Sequence, residues 1–306
     1  MDTIILYYKY IDIENPEAIR DWQKELCQTL HIKGRILIAQ EGINGTAAGS
    51  AEAIEQYVTA MRNHPLFADI DFKYSDGSVD DFPRLRVAVR PEIVRLGIDP
   101  KQLTVKDTGT HLEPKEVHEM LSKKSNNLVI LDTRNNYESK IGTFEGAITP
   151  DIETFREFPK YIDATIDQYK DKDVLMFCTG GVRCERATAY LKVKDVAKNV
   201  YHIKGGIHRY IEQYPDGFFR GKNYVFDGRI AQQANGDVLT NCFKCQKACD
   251  DYTNCLNAEC NEQYISCNEC ITVSNNTCSD TCKQLVAEKK VIIRKVPAKT
   301  TACSLL

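Results

Sequence analysis

The first hundred residues carry the alternating hydrophobic pattern of a small α+β domain. Runs of β-forming residues or period-two alternation predict strands at 4–8, 35–39, 70–74 and 85–90. Apolar residues at helical spacing predict helices at 16–30, which opens on Pro16, and at 51–63, which follows Ser50. Glycines in segment 41–46 predict a turn or hairpin corner. This order is that of a split βαβ, ferredoxin-like domain of the acylphosphatase kind over residues 1–102.

Short apolar runs separated by helical stretches form a second pattern over residues 103–220. Strands are predicted at 127–132, 174–177 and 200–203, and helices at 114–121, 155–169 and 185–192. Short buried strands that alternate with helices indicate an α/β domain with a mainly parallel sheet. Asp132 and Cys178 stand at the ends of two of these strands, where such sheets bind ligands.

The rest of the chain has a different composition. Residues 221–282 are polar and contain nine of the thirteen cysteines, and residues 283–306 are basic, which predicts a flexible tail. The sequence therefore predicts a multi-domain α/β chain with two folded domains, a Cys-rich segment and this tail.

Composition excludes several classes of protein. With 306 residues, 42% hydrophobic and 27% charged, the chain is not collagen-like, of low complexity or mostly disordered. Its net charge of −3 does not indicate a strongly basic nucleic-acid binder, although a local basic patch fits within that balance. No apolar run approaches the roughly 18 residues of a membrane span, and the start lacks a basic, cleavable signal. We therefore expect a cytoplasmic protein without membrane association, whose cysteines are reduced or bind metal.

The segment around Cys178 carries the clearest chemistry. A buried strand leads directly into Cys178, and Thr179, Gly180, Gly181, Val182 and Arg183 follow before a helix. Two glycines permit a tight turn in which backbone N–H groups converge on one point, and the helix N-terminus adds its positive dipole end. Such a cradle, next to a guanidinium, lowers a thiol pKa and predicts a reactive thiolate. The alternative is a cysteine that is merely buried at a strand end.

This loop resembles the active-site loop of the rhodanese family, in which the cysteine carries sulfur as a persulfide. Segment 129–134 resembles the rhodanese strand that ends in Asp-x-Arg, which implies a supporting role for Asp132 and Arg134. Segments 141–148 and 202–207 resemble two further rhodanese motifs, with Thr143 where a histidine usually stands. Four residues separate Cys178 from Arg183, one fewer than in cysteine phosphatases on a related scaffold, and this disfavours a phosphatase. Cys184 either acts as a resolving thiol for an oxidised Cys178 or simply packs.

Motifs outside this domain extend the resemblance to nearly the whole chain. Segments 34–46 and 82–85, followed by 178–185, resemble the bacterial tRNA uridine hydroxylase family with a central rhodanese domain. The resemblance implies oxygen-dependent 5-hydroxylation of the wobble uridine to 5-hydroxyuridine. It also implies the tRNA anticodon loop, dioxygen and an unidentified reductant as partners.

The residues alone support a narrower reading. The six histidines show no two-His-one-carboxylate spacing and no dinucleotide fingerprint is present, so no cofactor for hydroxylation is readable. The runner-up functions are a persulfide-carrying sulfurtransferase and a binding module without catalysis. Candidate RNA contacts are basic and aromatic residues of the two domains: Tyr7, Tyr8, Tyr10, Arg35, Phe82, Arg84, Arg86, Arg90, Arg183, Arg186, Lys204 and Arg209.

The cysteine-rich segment contains two Cys-x-x-Cys knuckles, Cys242/Cys245 and Cys267/Cys270, which fit a structural zinc site. Nine cysteines suffice for two metals with one left over, and the pairing beyond the knuckles stays open at this point. The segment has too few apolar residues to fold unaided, so a bound metal would supply the missing stability. An iron–sulfur cluster is the second alternative and disulfides are the third.

Overall fold

A computed structural model describes residues 2–294, and these fall into two compact units that are divided between Gly236 and Asp237. The first unit begins with an α+β domain, whose elements are β1 (Asp2–Tyr10), α1 (Pro16–Thr29), β2 (Lys33–Ala39), β3 (Gly42–Ser50), α2 (Ala51–Asn63), β4 (Lys73–Asp76) and β5 (Leu85–Val89). Its five strands lie in the order β4-β1-β3-β2-β5, with β2 and β5 parallel. The predicted split βαβ domain is confirmed, and β5 extends it by one strand.

The two faces of this sheet differ because side chains alternate along each strand. Ile5, Tyr7, Ile36 and Ile38 face helices α1 and α2 and form the core. Of the two alternatives for segment 41–46, the hairpin corner is confirmed, because β2 and β3 pair antiparallel, but the turn is shorter than predicted, because β3 begins at Gly42 and pairs with β1 as well. Only Gln40 and Glu41 turn the chain, so the glycines belong to a strand that packs closely against its neighbours.

The second half of the first unit is the predicted α/β domain. Its elements are β6 (Thr110–Leu112), α3 (Pro114–Ser122), β7 (Leu128–Asp132), α4 (Asn136–Ser139), β8 (Gly142–Phe144), α5 (Phe158–Ala164), β9 (Asp173–Phe177), α6 (Val182–Lys192), β10 (Asn199–Ile203), α7 (Gly206–Gln213), β11 (Phe219–Tyr224) and β12 (Ala231–Gln233). Strands β6-β10-β9-β7 form a parallel sheet, as expected. Hydrophobic clusters cover both faces of it.

The register of the parallel sheet positions the site. Asp132 pairs with Phe177, so the residue after β9, Cys178, lies at the same edge as the end of β7. Strand β11 crosses the expected boundary at 220/221 and pairs with β8 and β12. The first unit therefore extends to Gly236.

The second unit is small and irregular. It contains β13 (Tyr252–Asn254) and β14 (Gln263–Ile265), which form an antiparallel hairpin, and helices α8 (Asn268–Val273) and α9 (Asp280–Ala287). Helix α9 crosses the expected tail boundary at 282/283, because Ser279 caps its start and Val286 is buried. Arg294 also donates a hydrogen bond to the Cys255 carbonyl, so 283–294 belongs to the unit. Residues 295–306 of the predicted tail lie outside the described residues. Among residues 2–294, no helix has the length and apolarity to cross a membrane.

A fully buried ion pair braces the end of β7. Arg134 donates from Nε to Asp132 Oδ1 at 2.9 Å and from Nη2 to Oδ2 at 2.7 Å, and both side chains are 0% exposed. The Arg134 guanidinium also lies over the rings of Phe177 and Phe219. A buried charge is tolerated here because its partner neutralises it at bidentate distance.

We predict that Arg134→Met lowers the free energy of unfolding by about 3–5 kcal/mol, because it leaves the Asp132 carboxylate buried without its cationic partner. The double variant Asp132→Asn/Arg134→Met should recover much of that loss. Chemical denaturation monitored in the far ultraviolet measures both. Arg20→Met is the control, since its partner Asp21 is exposed, and should change little. An equal effect of the single and double variants would contradict the assignment.

Candidate active site and cysteine clusters

The loop between β9 and α6 holds the Cys178 sulfur in a cradle of donors. Gly181 adopts a left-handed φ of 103° and donates its N–H to Cys178 Sγ at 3.1 Å. A Cβ at this position would meet the Tyr8 hydroxyl at 2.8 Å, so glycine is required for both conformation and space. Helix α6 begins at Val182, three residues earlier than predicted, which directs its first N–H groups at the sulfur.

These donors decide the charge on Cys178, which is 1% exposed. Burial opposes ionisation, but a hydrogen bond from the Cys184 thiol, the Arg183 charge and the N–H groups of Arg183 and Cys184 outweigh it. Together they lower the pKa of Cys178 to about 5. Burial and the neighbouring sulfur anion raise the pKa of Cys184 well above its usual range. The arrangement is therefore one thiolate with one neutral thiol beside it.

Arg183 does not stand alone beside the sulfur. Its guanidinium makes a bidentate pair with Glu138 of α4, at 2.6 Å and 2.7 Å, and the carboxylate is 0% exposed. Thr179 contacts the same carboxylate from the loop, with Oγ1 3.4 Å from Oε1. Glu138 was missed from the sequence, because nothing in the spacing of residues 138 and 183 shows that they meet.

The supporting residues pack beneath the loop. Thr133, between Asp132 and Arg134, donates from both its N–H and its hydroxyl to the Phe177 carbonyl at 3.0 Å. Its hydroxyl also lies 3.7 Å from Cys184 Sγ. Cys184 thus contacts both the thiolate and the buried strand end, which is compatible with either role considered for it.

Strand β1 of the N-terminal domain closes over the loop. The Tyr8 hydroxyl donates to Glu185 Oε1 at 3.0 Å, and the Tyr10 hydroxyl donates to the Val182 carbonyl at 3.2 Å. The Leu6 side chain lies against Gly180. The N-terminal domain therefore contributes directly to the surroundings of Cys178.

Three family models match successive segments of the chain. Residues 3–93 match the family model of the UPF0176 acylphosphatase like domain, 113–213 that of the rhodanese-like domain, and 220–283 that of the rhodanase C-terminal region. A tRNA uridine(34) hydroxylase of Corynebacterium jeikeium is 42% identical over 93% of this chain and 95% of its own. Those of Corynebacterium diphtheriae and Chlamydia felis are 38% and 39% identical, over 93% and 92% of this chain and 96% and 86% of their own. This chain belongs to the tRNA uridine(34) hydroxylase family.

In this member of the hydroxylase family, a second polar group adjoins the Cys178 loop. His111 on β6, Glu185 on α6 and His202 on β10 present ligand atoms that all lie within 4.8 Å of one another. The sequence showed no such constellation, because the residues come from three elements that the parallel sheet brings together. His111 Nε2 lies 2.9 Å from Glu185 Oε1, and this hydrogen bond raises the pKa of His111. With Tyr8 on the same oxygen, the group links the two domains, and its side chains are also of types that bind divalent metals.

The arginines predicted as RNA contacts separate into accessible and buried ones. Arg35 and Arg86 are exposed register partners on β2 and β5, on the sheet face opposite the helices. Partial burial and repulsion from Arg86 and Arg90 lower the pKa of Arg35, so the three positive charges lie close together. This is the same face that carries Tyr8 and Tyr10.

Several other predicted RNA contacts are wrong. Tyr7 and Phe82 are buried in hydrophobic clusters. Arg186 is 0% exposed and pairs with Glu41 at 2.7 Å, so it holds the N-terminal domain in place and leaves no charge for a phosphate. Arg209 pairs with Asp71 at 2.6 Å. Among the sequence candidates, Arg35, Arg86 and Arg90 form the most evident positive surface.

The cysteines of the second unit gather into two groups of four. Cys242, Cys245, Cys267 and Cys270, the predicted zinc ligands, have sulfur atoms within 4.8 Å of one another. Cys255, Cys260, Cys278 and Cys282 form a second group under the same limit, and Cys249 is left over. Either group could hold a metal ion, because four thiolates are a complete ligand set for a tetrahedral site.

We predict that Cys178 ionises far below an ordinary thiol. Absorbance at 240 nm, taken as the difference between the wild type and Cys178→Ser, should titrate with a midpoint near pH 5. Cys184→Ala removes a hydrogen-bond donor to the anion, so it should move that midpoint to higher pH. Cys27→Ser is the control, because burial raises the pKa of Cys27 to about 12. A difference signal with a midpoint near 9 would rule out the thiolate cradle.

Proposed function

We propose that the protein is an oxidoreductase that hydroxylates C5 of the wobble uridine of tRNA to give 5-hydroxyuridine, using dioxygen. Relatives that carry the name tRNA uridine(34) hydroxylase support this over 92–93% of the chain. The observation that carries the proposal is the Cys178 thiolate, which is held by Gly181, Arg183 and Cys184 next to the N-terminal domain. Because the substrate is tRNA, we place the enzyme in the cytoplasm.

The overall reaction fixes what must be supplied. One oxygen atom of O₂ enters the C5–H bond and the other leaves as water, which consumes two electrons and two protons from an external reductant. The Cys178 thiolate is ionised at neutral pH and is therefore a ready nucleophile. Cys184 remains protonated beside it and can donate a proton or resolve an oxidised Cys178.

The base has to reach a sulfur that is 1% exposed. The hydrogen bonds from Tyr8 to Glu185 and from Tyr10 to the Val182 carbonyl hold β1 over the loop. Each such bond contributes only about 1 kcal/mol net, so tRNA binding can supply the energy to open them. We propose that the N-terminal domain admits the flipped uridine by this local movement.

A sulfurtransferase is the second candidate. The same N–H cradle would stabilise the terminal sulfur of a persulfide on Cys178, since that sulfur also carries negative charge. A binding module without catalysis is disfavoured, because burying a thiolate costs free energy that RNA recognition alone does not require. The product in tRNA distinguishes these functions.

We predict that Cys178→Ser abolishes the modification while leaving the fold intact. The serine hydroxyl stays protonated at neutral pH and lacks the nucleophilicity of a thiolate. The gene and its variants are expressed in a strain deleted for its own tRNA uridine hydroxylases, and tRNA nucleosides are quantified by mass spectrometry. Cys27→Ser, which changes another buried cysteine far from the loop chemistry, should restore 5-hydroxyuridine fully.

Three outcomes separate the functions. Restoration of 5-hydroxyuridine by the wild type and not by Cys178→Ser supports the hydroxylase. Appearance of a thiolated nucleoside instead indicates the sulfurtransferase. An active Cys178→Ser variant would refute the cysteine mechanism, and no nucleoside change with any variant would leave RNA or protein binding as the function.

We further propose that the anticodon stem-loop lies along the face that carries Arg35, Arg86 and Arg90. This face continues to Tyr8 and Tyr10, which contact the start of helix α6 beside the Cys178 loop. Binding of the RNA phosphates by the arginines would therefore position the wobble uridine close to the Cys178 sulfur. Burial and the neighbouring charges of Arg86 and Arg90 lower the pKa of Arg35, and a bound phosphate would supply a counter-charge to these guanidiniums.

We predict that Arg35→Ala/Arg86→Ala weakens tRNA binding at least tenfold and lowers the slope of log K against log salt by about 1 per lost phosphate contact. Filter binding with unmodified tRNA at several salt concentrations measures both. Arg62→Ala is the matched control, since Arg62 is exposed on α2 at the opposite side of the sheet. If Arg62→Ala weakened tRNA binding equally, the effect would come from the net charge of the protein and not from a binding site on this face.

We propose a structural Zn²⁺ as the ion in the group Cys242, Cys245, Cys267 and Cys270. Cys245 Sγ and Cys267 Sγ lie 3.6 Å apart, and the Cys267 N–H donates to Cys242 Sγ at 3.4 Å. Zinc binds four thiolates tetrahedrally and needs no redox partner. An ion here would connect the turn at residue 242 to the start of α8.

A further inference from the structure

The second group of cysteines has the geometry of a metal centre. Cys260 Sγ lies 3.6 Å from Cys278 Sγ, and Cys278 Sγ lies 3.8 Å from Cys282 Sγ. A tetrahedron with metal–sulfur bonds of about 2.3 Å has sulfur–sulfur edges of about 3.8 Å. A disulfide would need the sulfurs about 2.0 Å apart. These two distances match the edges of such a tetrahedron, and all four sulfurs lie within 4.8 Å of one another.

From this geometry we propose that Cys255, Cys260, Cys278 and Cys282 bind a second Zn²⁺, and that the two zinc sites are interleaved along the chain. The first and third cysteine pairs form one site, and the second and fourth pairs form the other. Between the two cysteine pairs of each site, the chain passes through a cysteine pair of the other site. Because of this interleaved order, formation of either site also brings together the segments that carry the ligands of the other, so the unit folds as both ions bind.

The β13–β14 hairpin explains how interleaving arises. Strand β13 runs directly into Cys255, and Cys260 lies in the loop that joins the two strands. Strand β14 then runs back toward Cys267, at the open end of the hairpin, and α8 leads the chain to Cys278. Each strand thus links one site to the other, and antiparallel pairing fixes their separation.

Within residues 237–294, few large apolar side chains are buried besides the cysteines: Tyr252, Tyr264, Ile265 and Val286. One hydrophobic cluster consists of Cys255, Tyr264 and Cys282, with Cys278 packed against it, so three of its four members are proposed ligands. Burial of so few apolar groups does not offset the roughly 1–2 kcal/mol per residue lost on ordering the backbone. Metal binding supplies folding free energy in small domains of this kind.

The surroundings suit a negatively charged centre. Zinc with four thiolates has a net charge of −2, which nearby donors must offset. The Asn257 amide donates to Cys282 Sγ at 3.4 Å. Arg294 donates from Nε to the Cys255 carbonyl at 3.1 Å, which brings a guanidinium beside the group. Such outer partners orient and stabilise the ligands of metal sites.

The experiment measures metal in the full-length protein purified without metal-affinity resin. We expect two zinc atoms per chain by elemental analysis. Full replacement by cobalt(II) should give two equivalents with the intense d–d bands of tetrahedral thiolate coordination. Because the readout uses no tRNA, it is independent of the proposed hydroxylation.

Variants then locate the second ion. Cys260→His keeps a zinc ligand but replaces one sulfur by nitrogen, so two metals should remain while the cobalt bands of one site shift to higher energy. Cys245→His should shift the bands of the other site. Cys249→His is the matched control and should leave both the count and the spectrum unchanged.

Three kinds of result would contradict a second Zn²⁺ site. One zinc per chain in the wild type, with a cobalt spectrum that Cys260→His does not alter, would show a single site. Iron with sulfide-to-iron absorption, or no metal and oxidised cysteines, would also overturn it. Should Cys260→His not fold, Cys260→Ser provides the second test, and an unchanged zinc count of two in that variant with normal cobalt bands would contradict the assignment.

Discussion

The convergence of backbone N–H groups on Cys178 Sγ is the constraint on which the first unit depends. A thiolate that is 1% exposed is unstable unless donors replace the water it has lost. The connection from β9 to α6 supplies them, and this requires Gly181 in a left-handed conformation and the helix to begin at Val182. Arg183 adds a positive charge, which Glu138 in turn neutralises, so the loop buries a thiolate without leaving an unpaired guanidinium.

The same constraint accounts for the N-terminal domain. Tyr8, Tyr10 and Leu6 cover the loop and exclude water, while Arg186 joins the two domains through Glu41. Excluding water strengthens each electrostatic interaction with the sulfur, but it also closes the path for a substrate. The contacts that β1 makes are few and individually weak, so the closed arrangement is compatible with opening when a larger ligand binds.

Local sequence patterns predicted most of the fold and the centre of the site. The β9–loop–α6 segment is contiguous, so its glycines and helix start were readable, as were both Cys-x-x-Cys knuckles. What could not be read comes from contacts between distant residues: Glu138 with Arg183, His111 with Glu185 and His202, and the second cysteine group. The turn of the predicted hairpin corner at 41–46 is shorter than expected, because the glycines of this segment serve close strand packing, which single-sequence propensity does not distinguish from a turn.

Sulfur serves two opposite purposes in this chain, and the difference lies in the surrounding charge. At Cys178 one thiolate has several N–H donors and a guanidinium, so it is stable without a metal and remains reactive. In the second unit four sulfurs lie within 4.8 Å of one another, where four thiolate charges would repel strongly. Within residues 237–294, Lys247 lies near Cys245 and Cys267, and Arg294 donates to the Cys255 carbonyl, but two such cations do not balance eight thiolates. A divalent cation removes this repulsion, and binding it leaves the sulfurs structural instead of nucleophilic.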